Sequence, residues 1–269
     1  MSPQAAARPQ LSVLVFTRND ATHLQACLQT LVDEPPSCSF EVRVFDNASE
    51  DRSLEVLSTF AEQLPLSWVA AEIETSFSIG NNRLLELAAG ELVLFLNPDT
   101  RPSGAALDAC ASLVRSLPEV GLVSPRLVYP DGTHQGTGWH LPRPGRLLVE
   151  HTGLGQREVP PAPSGVTDVG WLMGCFLMGR RELLRSLGGF DESFWFHGTD
   201  LELCARVIAS GARVLRLEGE VLVHTGHKSW DRERREASQQ ALTQWLRRDH
   251  GPLAAEGVRL AARWAEVVR

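Results

Sequence analysis

Three strand-like runs end abruptly in polar residues. Run 11–16 leads into Thr17, Arg18, Asn19 and Asp20, run 40–45 into Asp46 and Asn47, and run 92–96 into Asn97, Pro98 and Asp99. If the runs are neighbouring parallel strands, all three tips lie on one edge of a sheet. That edge would gather acids, amides and the N-termini of the following helices. Such a set suits a nucleotide and a divalent cation, because a hard cation wants oxygen ligands and bridges a carboxylate to phosphate oxygens. The glycine-rich phosphate cradles are missing: there is no GxGxxG after the first run and no GxxxxGK[ST] anywhere. Diphosphate charge would then have to be met by metal, which points to Asp99 as a ligand. Read singly, Asp46 and Asn47 are turn and capping residues, and Asn81 and Asn82 form a polar helix face. His224 alone is an exposed residue ending a strand, although histidine also completes mixed oxygen–nitrogen metal sites.

A second cluster runs from Gly188 to Arg206. It packs Phe194, Trp195 and Phe196 into a loop before a helix that opens with Thr199 and Asp200. Aromatic walls stack on the apolar faces of sugars, and a carboxylate accepts their hydroxyl hydrogen bonds. Taken by itself, Asp200 is a helix N-cap and Glu202 an acid on a helix face.

Elements that could hold these residues are readable from periodicity. Run 92–96 is uniformly apolar and reads as a strand buried on both faces, which Pro98 must end. Strands at 11–16, 40–45, 66–70, 92–96 and 120–123 alternate with helices, so a doubly wound, mostly parallel sheet is expected. Asn19 or Asp20 can cap the first helix, and Ser49 or Asp51 the second, with Leu54, Leu57 and Phe60 inward. Helices are expected at 77–89 and 102–117. From Tyr129 the pattern changes, and 130–166 is a long segment rich in Gly and Pro. Regularity returns with a strand over 169–178, helices at 180–187 and 200–210, and short strands at 214–217 and 221–224. Two amphipathic helices close the chain. One carries Ala237, Ala241, Leu242, Trp245 and Leu246, the other Val258, Leu260, Ala261, Trp264, Ala265 and Val268.

Composition narrows the classes. The 269 residues carry a net charge of -7, which argues against a general nucleic-acid binder. Five scattered cysteines without a CxxC pair fit a reducing compartment rather than a disulfide framework or a zinc site. Residues 1–10 lack an apolar core, so they read as a disordered or extended N-terminus and not as a signal peptide. No run approaches membrane-spanning length. A cytoplasmic protein is expected, with contact at the inner face of a membrane left open.

Together these segments resemble the family-two inverting glycosyltransferases of the GT-A fold, in the branch that contains rhamnosyltransferases. Residues 11–19 are similar to that family's opening strand, 44–53 to its nucleoside-binding turn, and 77–83 with 90–91 and 96–100 to its nucleotide helix and a variant of its DxD motif. Residues 129–133, 174–181, 188–206 and 221–224 match later landmarks in order. The resemblance covers 11–229 and implies a Rossmann-like α/β domain flanked by helices. It has a nucleotide-sugar half at 11–128 and an acceptor half at 129–229, followed by a helical extension at 230–269.

The resemblance implies roles. Donor binding falls to Thr17, Arg18, Asn19, Asp46, Asn47, Asn82, Asn97 and Asp99, with Asp46 on the nucleoside and Asn97 in the first DxD position. Asp99 and His224 would hold Mn2+ or Mg2+. Asp200 falls where the catalytic base sits, and Trp171, Gly174, Trp195, His197 and Thr199 fall on the acceptor side. The implied reaction moves a sugar from a UDP- or dTDP-linked donor to an acceptor hydroxyl with inversion, in cell-surface glycan synthesis. The acceptor would be a saccharide or lipid-linked saccharide. Four departures bear on specificity. Thr199 replaces the acid that often precedes the base, and Arg18 stands where an aromatic commonly stacks on the nucleobase. Phe16 replaces a frequent proline, and Arg52 a frequent glycine. A non-catalytic nucleotide-sugar-binding protein on the same fold is the alternative. The tail helices could dock on the domain, pair two protomers, or lie on a membrane.

Overall fold

A computed structural model of the chain describes residues 8–145, 158–226 and 232–267. The expectations for 1–7, for part of the irregular segment (146–157) and for the junction with the tail (227–231) lie outside the described residues. Strands β1 (Leu11–Thr17), β2 (Phe40–Asp46), β3 (Leu66–Ala70) and β4 (Leu92–Leu96) alternate with α1 (Ala21–Asp33), α2 (Ser53–Phe60) and α3 (Phe77–Leu87). They pair in the order β3-β2-β1-β4, all parallel. Every residue of β4 is buried, as an uninterrupted apolar run at the centre of a sheet demands. Asp20 starts α1 without capping it, because its carboxylate turns to His23 Nδ1 at 2.6 Å. Leu54 lies on the outer side of α2, 40% exposed, contrary to its expected inward position.

Beyond β4 come β5 (Thr100–Arg101), α4 (Gly104–Ser116), β6 (Val120–Val128), β7 (His134–Gln135), β8 (Gly138–Trp139), β9 (Val166–Asp168), β10 (Trp171–Leu172) and β11 (Phe176–Arg180). They are followed by α5 (Arg181–Ser186), α6 (Thr199–Ala209) and β12 (Arg213–His224). Strand β11 inserts antiparallel between β4 and β6, so the fifth expected parallel strand does not touch the fourth. The single strand expected over 169–178 is broken. Strand β10 pairs with β8 outside the main sheet, Met173 N–H donates to Thr137 O, and Cys175 O accepts the Asn97 N–H where the β4–β11 ladder begins. The two strands expected at 214–217 and 221–224 are one, β12, whose register on β6 shifts between Leu217 and Val221. Beyond the shift β12 pairs with β6 on one edge and with β5 on the other, setting His224 opposite Thr100. The expected mostly parallel α/β sheet flanked by helices is present.

The tail helices α7 (Arg232–His250) and α8 (Pro252–Val267) dock on this domain. Ala241, Trp245 and Leu246 of α7 and Ala255 and Val258 of α8 form one buried cluster with Phe194, Leu201 and Ala205. At about 25 cal/mol per Å² of apolar surface, such a cluster supplies several kcal/mol of docking energy. Among the described residues no helix is long and apolar enough to cross a membrane.

Candidate active site

The strand tips converge on one rim. Thr17 and Asp46 are register partners at the ends of β1 and β2, and both are buried. Asp46 Oδ2 accepts the Ser49 N–H at 3.1 Å, while Asp46 Oδ1 and Thr17 Oγ1 are buried without a hydrogen-bond partner. Asn47 is used internally: its side chain donates to Thr75 O at 3.0 Å and accepts the Thr75 N–H at 2.8 Å, which ties the β2 tip to the loop before α3. Asn19 adopts a positive φ of 48° and braces the same turn, accepting the Glu50 N–H at 2.7 Å. Arg18 reaches the cleft and is ion-paired with Glu74.

At the β4 tip, Asn97 O accepts the Thr100 hydroxyl at 2.7 Å, closing a tight turn that presents Asp99. Asp99 Oδ2 lies 3.2 Å from His224 Nε2, which the β5–β12 pairing delivers. Burial pushes the Asp99 carboxyl up, yet the hydrogen bond and charge of His224 outweigh it and hold Asp99 below its ordinary value. Burial likewise pushes His224 down, but Cys175 and Asp99 beside it lift it to about 11. The two therefore form an ion pair. Asp99 Oδ1 is buried and has no hydrogen-bond partner among the described residues. A carboxylate with an idle oxygen beside an imidazole nitrogen fits a divalent cation. Among the described residues no cluster of three or more His, Cys, Asp or Glu side chains is set to hold a metal.

Asp200 is half-buried in the first turn of α6. Its Oδ1 accepts the Leu201 N–H at 2.8 Å and its Oδ2 the Gly174 N–H at 3.0 Å. Each oxygen keeps one lone pair for a further donor. Burial raises the carboxyl above its ordinary value, and the N–H groups of Leu201, Gly174 and Asp200 itself offset this only in part.

Asp99 and Asp200 face one continuous hollow. A cavity of about 390 Å³ is walled by Arg18, Asn97, Asp99 and His224. It opens into one of about 640 Å³ walled by Trp171, Gly174, Thr199, Asp200 and Leu201. Asn97, Gln135, Met173, Phe196, His197 and His224 line both. Trp171 stacks on Trp139, centroids 4.3 Å apart, in the larger one. Ser238 and Leu242 of α7 complete its wall, and the Ser238 hydroxyl is 3.2 Å from His197 Nδ1.

Six expected residues line neither cavity. Asn82 lines neither cavity: it donates to Phe190 O at 2.9 Å and Glu192 Oε1 at 3.0 Å, and accepts the Phe190 N–H at 2.7 Å. Its amide is thus saturated as a clamp on the aromatic loop. Trp195 points away, 61% exposed, and Phe196 takes the place in the wall. Thr17, Asn19, Asp46 and Asn47 lie along the β1–β2 edge and line neither cavity. Residues the sequence reading passed over include Gln135, Trp139, Met173, Ser238 and Leu242. Only Gln135 carried a local signal, standing just after the 129–133 turn.

Comparison with known proteins follows from this geometry. A family model described as glycosyl transferase family 2 matches residues 12–188, and one described as the N-terminal domain of galactosyltransferase matches residues 168–228. An O-antigen biosynthesis protein, RfbC, of Myxococcus xanthus is 32% identical over 83% of this chain, which spans only 18% of that protein. The N-acetylglucosaminyl-diphospho-decaprenol L-rhamnosyltransferase of Mycobacterium tuberculosis is 26% identical over 81% of this chain and 77% of its own length. The solved structure of a mannosyltransferase, PcManGT, from Pyrobaculum calidifontis in complex with GDP-Man and Mn2+ superposes with a TM-score of 0.66. It shares 26% identity and covers 97% of this chain and 72% of that one.

Proposed function

This chain belongs to glycosyl transferase family 2, and we propose that it transfers a sugar from a nucleotide-diphosphate donor to an acceptor hydroxyl with inversion. The observation that carries the reading is the single hollow in which Asp99 and His224 face one end and Asp200 the other. Residues 11–128 handle the donor, 129–229 the acceptor, and 230–269 form the extension.

In this reading Asp99 and His224 hold Mn2+ or Mg2+, and a divalent cation there supplies Lewis-acid stabilisation of the leaving diphosphate. Asp46 receives the nucleoside at the β1–β2 edge, with Arg18 beside the base, where a guanidinium can stack. Asp200 takes the acceptor proton. As the acceptor oxygen bonds to the anomeric carbon, the carbon–oxygen bond to the diphosphate breaks and its electron pair leaves with the diphosphate. One displacement needs one base and no enzyme nucleophile. The raised Asp200 carboxyl favours this work, since a stronger base takes the proton more readily. The Trp171 face, Thr199 and His197 receive the acceptor sugar.

The donor is UDP- or dTDP-linked in this proposal. The acceptor is a saccharide or lipid-linked saccharide, a class supported by the decaprenol-linked substrate in the name of the rhamnosyltransferase relative. Work at the cytoplasmic face of a membrane follows from such an acceptor. Leu253 and Leu260, exposed on α8, offer it a point of contact, or a second copy of the chain a pairing face. The test is transfer from UDP-, dTDP- and GDP-sugars with Mn2+ or Mg2+, beside Asp200→Asn. Transfer by the wild type and its loss in the variant support the proposal. Tight nucleotide binding with no turnover for any donor and acceptor leaves a binding protein on this fold instead.

A further inference from the structure

The turn at residues 129–133 carries out no step of the reaction described above, although its Tyr129 lines the larger cavity. Its geometry is nonetheless well fixed: Tyr129 N–H donates to Thr133 O at 2.9 Å, and Asp131 Oδ1 accepts the Thr133 N–H at 3.0 Å and its hydroxyl at 2.6 Å. The turn folds β7 back on β6, with Gln135 opposite Leu127. The result is that Gln135, only 6% exposed, sets its Oε1 3.0 Å from His224 Nδ1. The chain then passes closely over the pair. A β carbon on Gly226 would lie 2.9 Å from Gln135 Nε2 and 3.1 Å from His224 Nδ1, so only glycine leaves the contact undisturbed.

We infer that Gln135 is a positioning residue that holds the proton of His224 on Nδ1 and so presents Nε2, beside Asp99, to the divalent cation. The inference rests on the reading of Asp99 and His224 as the cation's ligands. A cation binding here displaces the proton that His224 shares with Asp99, and the neutral imidazole that remains carries one N–H, on the nitrogen that cannot bind metal. A carbonyl oxygen on Nδ1 settles the choice and fixes the plane of the ring. Nε2, 3.2 Å from Asp99 Oδ2, is then the nitrogen that shares a ligand with the carboxylate. Without the acceptor the ring can turn over or change tautomer, and the cation loses one of its two side-chain ligands.

The test measures Mn2+ binding directly, by the loss of the free-ion electron paramagnetic resonance signal, in the presence of UDP, dTDP or GDP. Gln135→Met keeps length and removes the acceptor, and Mn2+ affinity should fall roughly tenfold or more. Gln135→Glu keeps an acceptor and should retain wild-type affinity. A Met variant that binds Mn2+ as tightly as the wild type overturns the inference. Should Gln135→Met not fold, the wild type gives an independent reading. With Mg2+ and nucleotide bound, long-range proton–nitrogen NMR of His224 should show the proton on Nδ1, and a proton on Nε2 overturns the inference. A wild type that takes up no Mn2+ with any of the three nucleotides overturns the cation reading itself, and this inference with it.

Discussion

The N–H of Gly174 donates to Asp200 Oδ2 at 3.0 Å, and a β carbon on Gly174 would stand 3.1 Å from Asp200 Cβ. The strand between β10 and β11 breaks where it does so that this amide can face the helix start. Gly174→Val should push the Asp200 side chain off its two N–H anchors. A shift of about 1 Å at a reacting group costs on the order of a hundredfold in rate. The expected result is a kcat lowered to that degree, with nucleotide and Mn2+ binding intact by calorimetry. Equal losses in binding and turnover would point to general misfolding of the segment.

Asp200 also sets a pH dependence. Burial raises its carboxyl above the ordinary value of 3.8, against the three backbone N–H groups that lower it. A base works only when deprotonated, so kcat/KM should rise with pH along an acid limb lying above the ordinary aspartate range. Asp200→Asn should abolish the limb together with about 10²–10⁴ of the rate. The same shift acts on folding. The folded state holds this proton more tightly, so its contribution to stability is full below the unfolded value and is lost as pH rises through the folded one. A wild-type profile whose acid limb sits at the ordinary value would contradict the burial argument.

Removing the cation is the simplest probe of the β4 tip. EDTA should abolish transfer, and Mn2+ should restore it. A ligand at a hundred times its Kd stabilises a fold by about 2.7 kcal/mol, so Mn2+ plus a bound nucleoside diphosphate should raise the melting temperature by several degrees. Asp99→Ala should lose the Mn2+-dependent part of that shift and keep the part due to nucleotide alone. If the whole shift survives in Asp99→Ala, another residue holds the metal.

What the sequence made legible was set by locality. The apolar runs of β1 and β4 and the turns after them are local signals, and β1 to β4 pair as their pattern implies. Asp200 stood out because its loop and helix are contiguous in the chain. Pairings that depend on distant partners were not legible. Nothing near residues 173–175 announces that their backbone leaves the sheet to meet Asn97, Thr137 and Asp200. Read singly, Asn82 is part of a polar helix face, and only the family resemblance places it at the donor. Only the fold reveals that Phe190 saturates its amide. Trp139 and Gln135 lie in a Gly- and Pro-rich stretch with no period, where only the completed sheet assigns them partners.

The tail gives a prediction that joins stability to the acceptor. Glu202 is completely buried, yet it accepts Arg206 Nε at 2.7 Å and Arg248 Nη2 at 3.0 Å. Arg248 also reaches Asp191 at 2.7 Å and lies over the Phe194 ring at 5.6 Å, so one guanidinium fastens α7 to both α6 and the aromatic loop. Removing Glu202 leaves the half-buried Arg206 guanidinium with only the carbonyls of Leu187 and Gly189 among the described residues, and Glu202→Ala should cost about 3–5 kcal/mol in urea unfolding. Arg248→Ala should cost about 1 kcal/mol, because Arg206 still pairs Glu202 and Arg248 itself is 41% exposed. The milder variant is the informative one. Ser238 and Leu242 on α7 wall the acceptor cavity, so loosening α7 should raise the acceptor KM while the donor KM and Mn2+ affinity stay near wild type. A rise in donor KM of the same size would mean that α7 supports the whole hollow rather than its acceptor end.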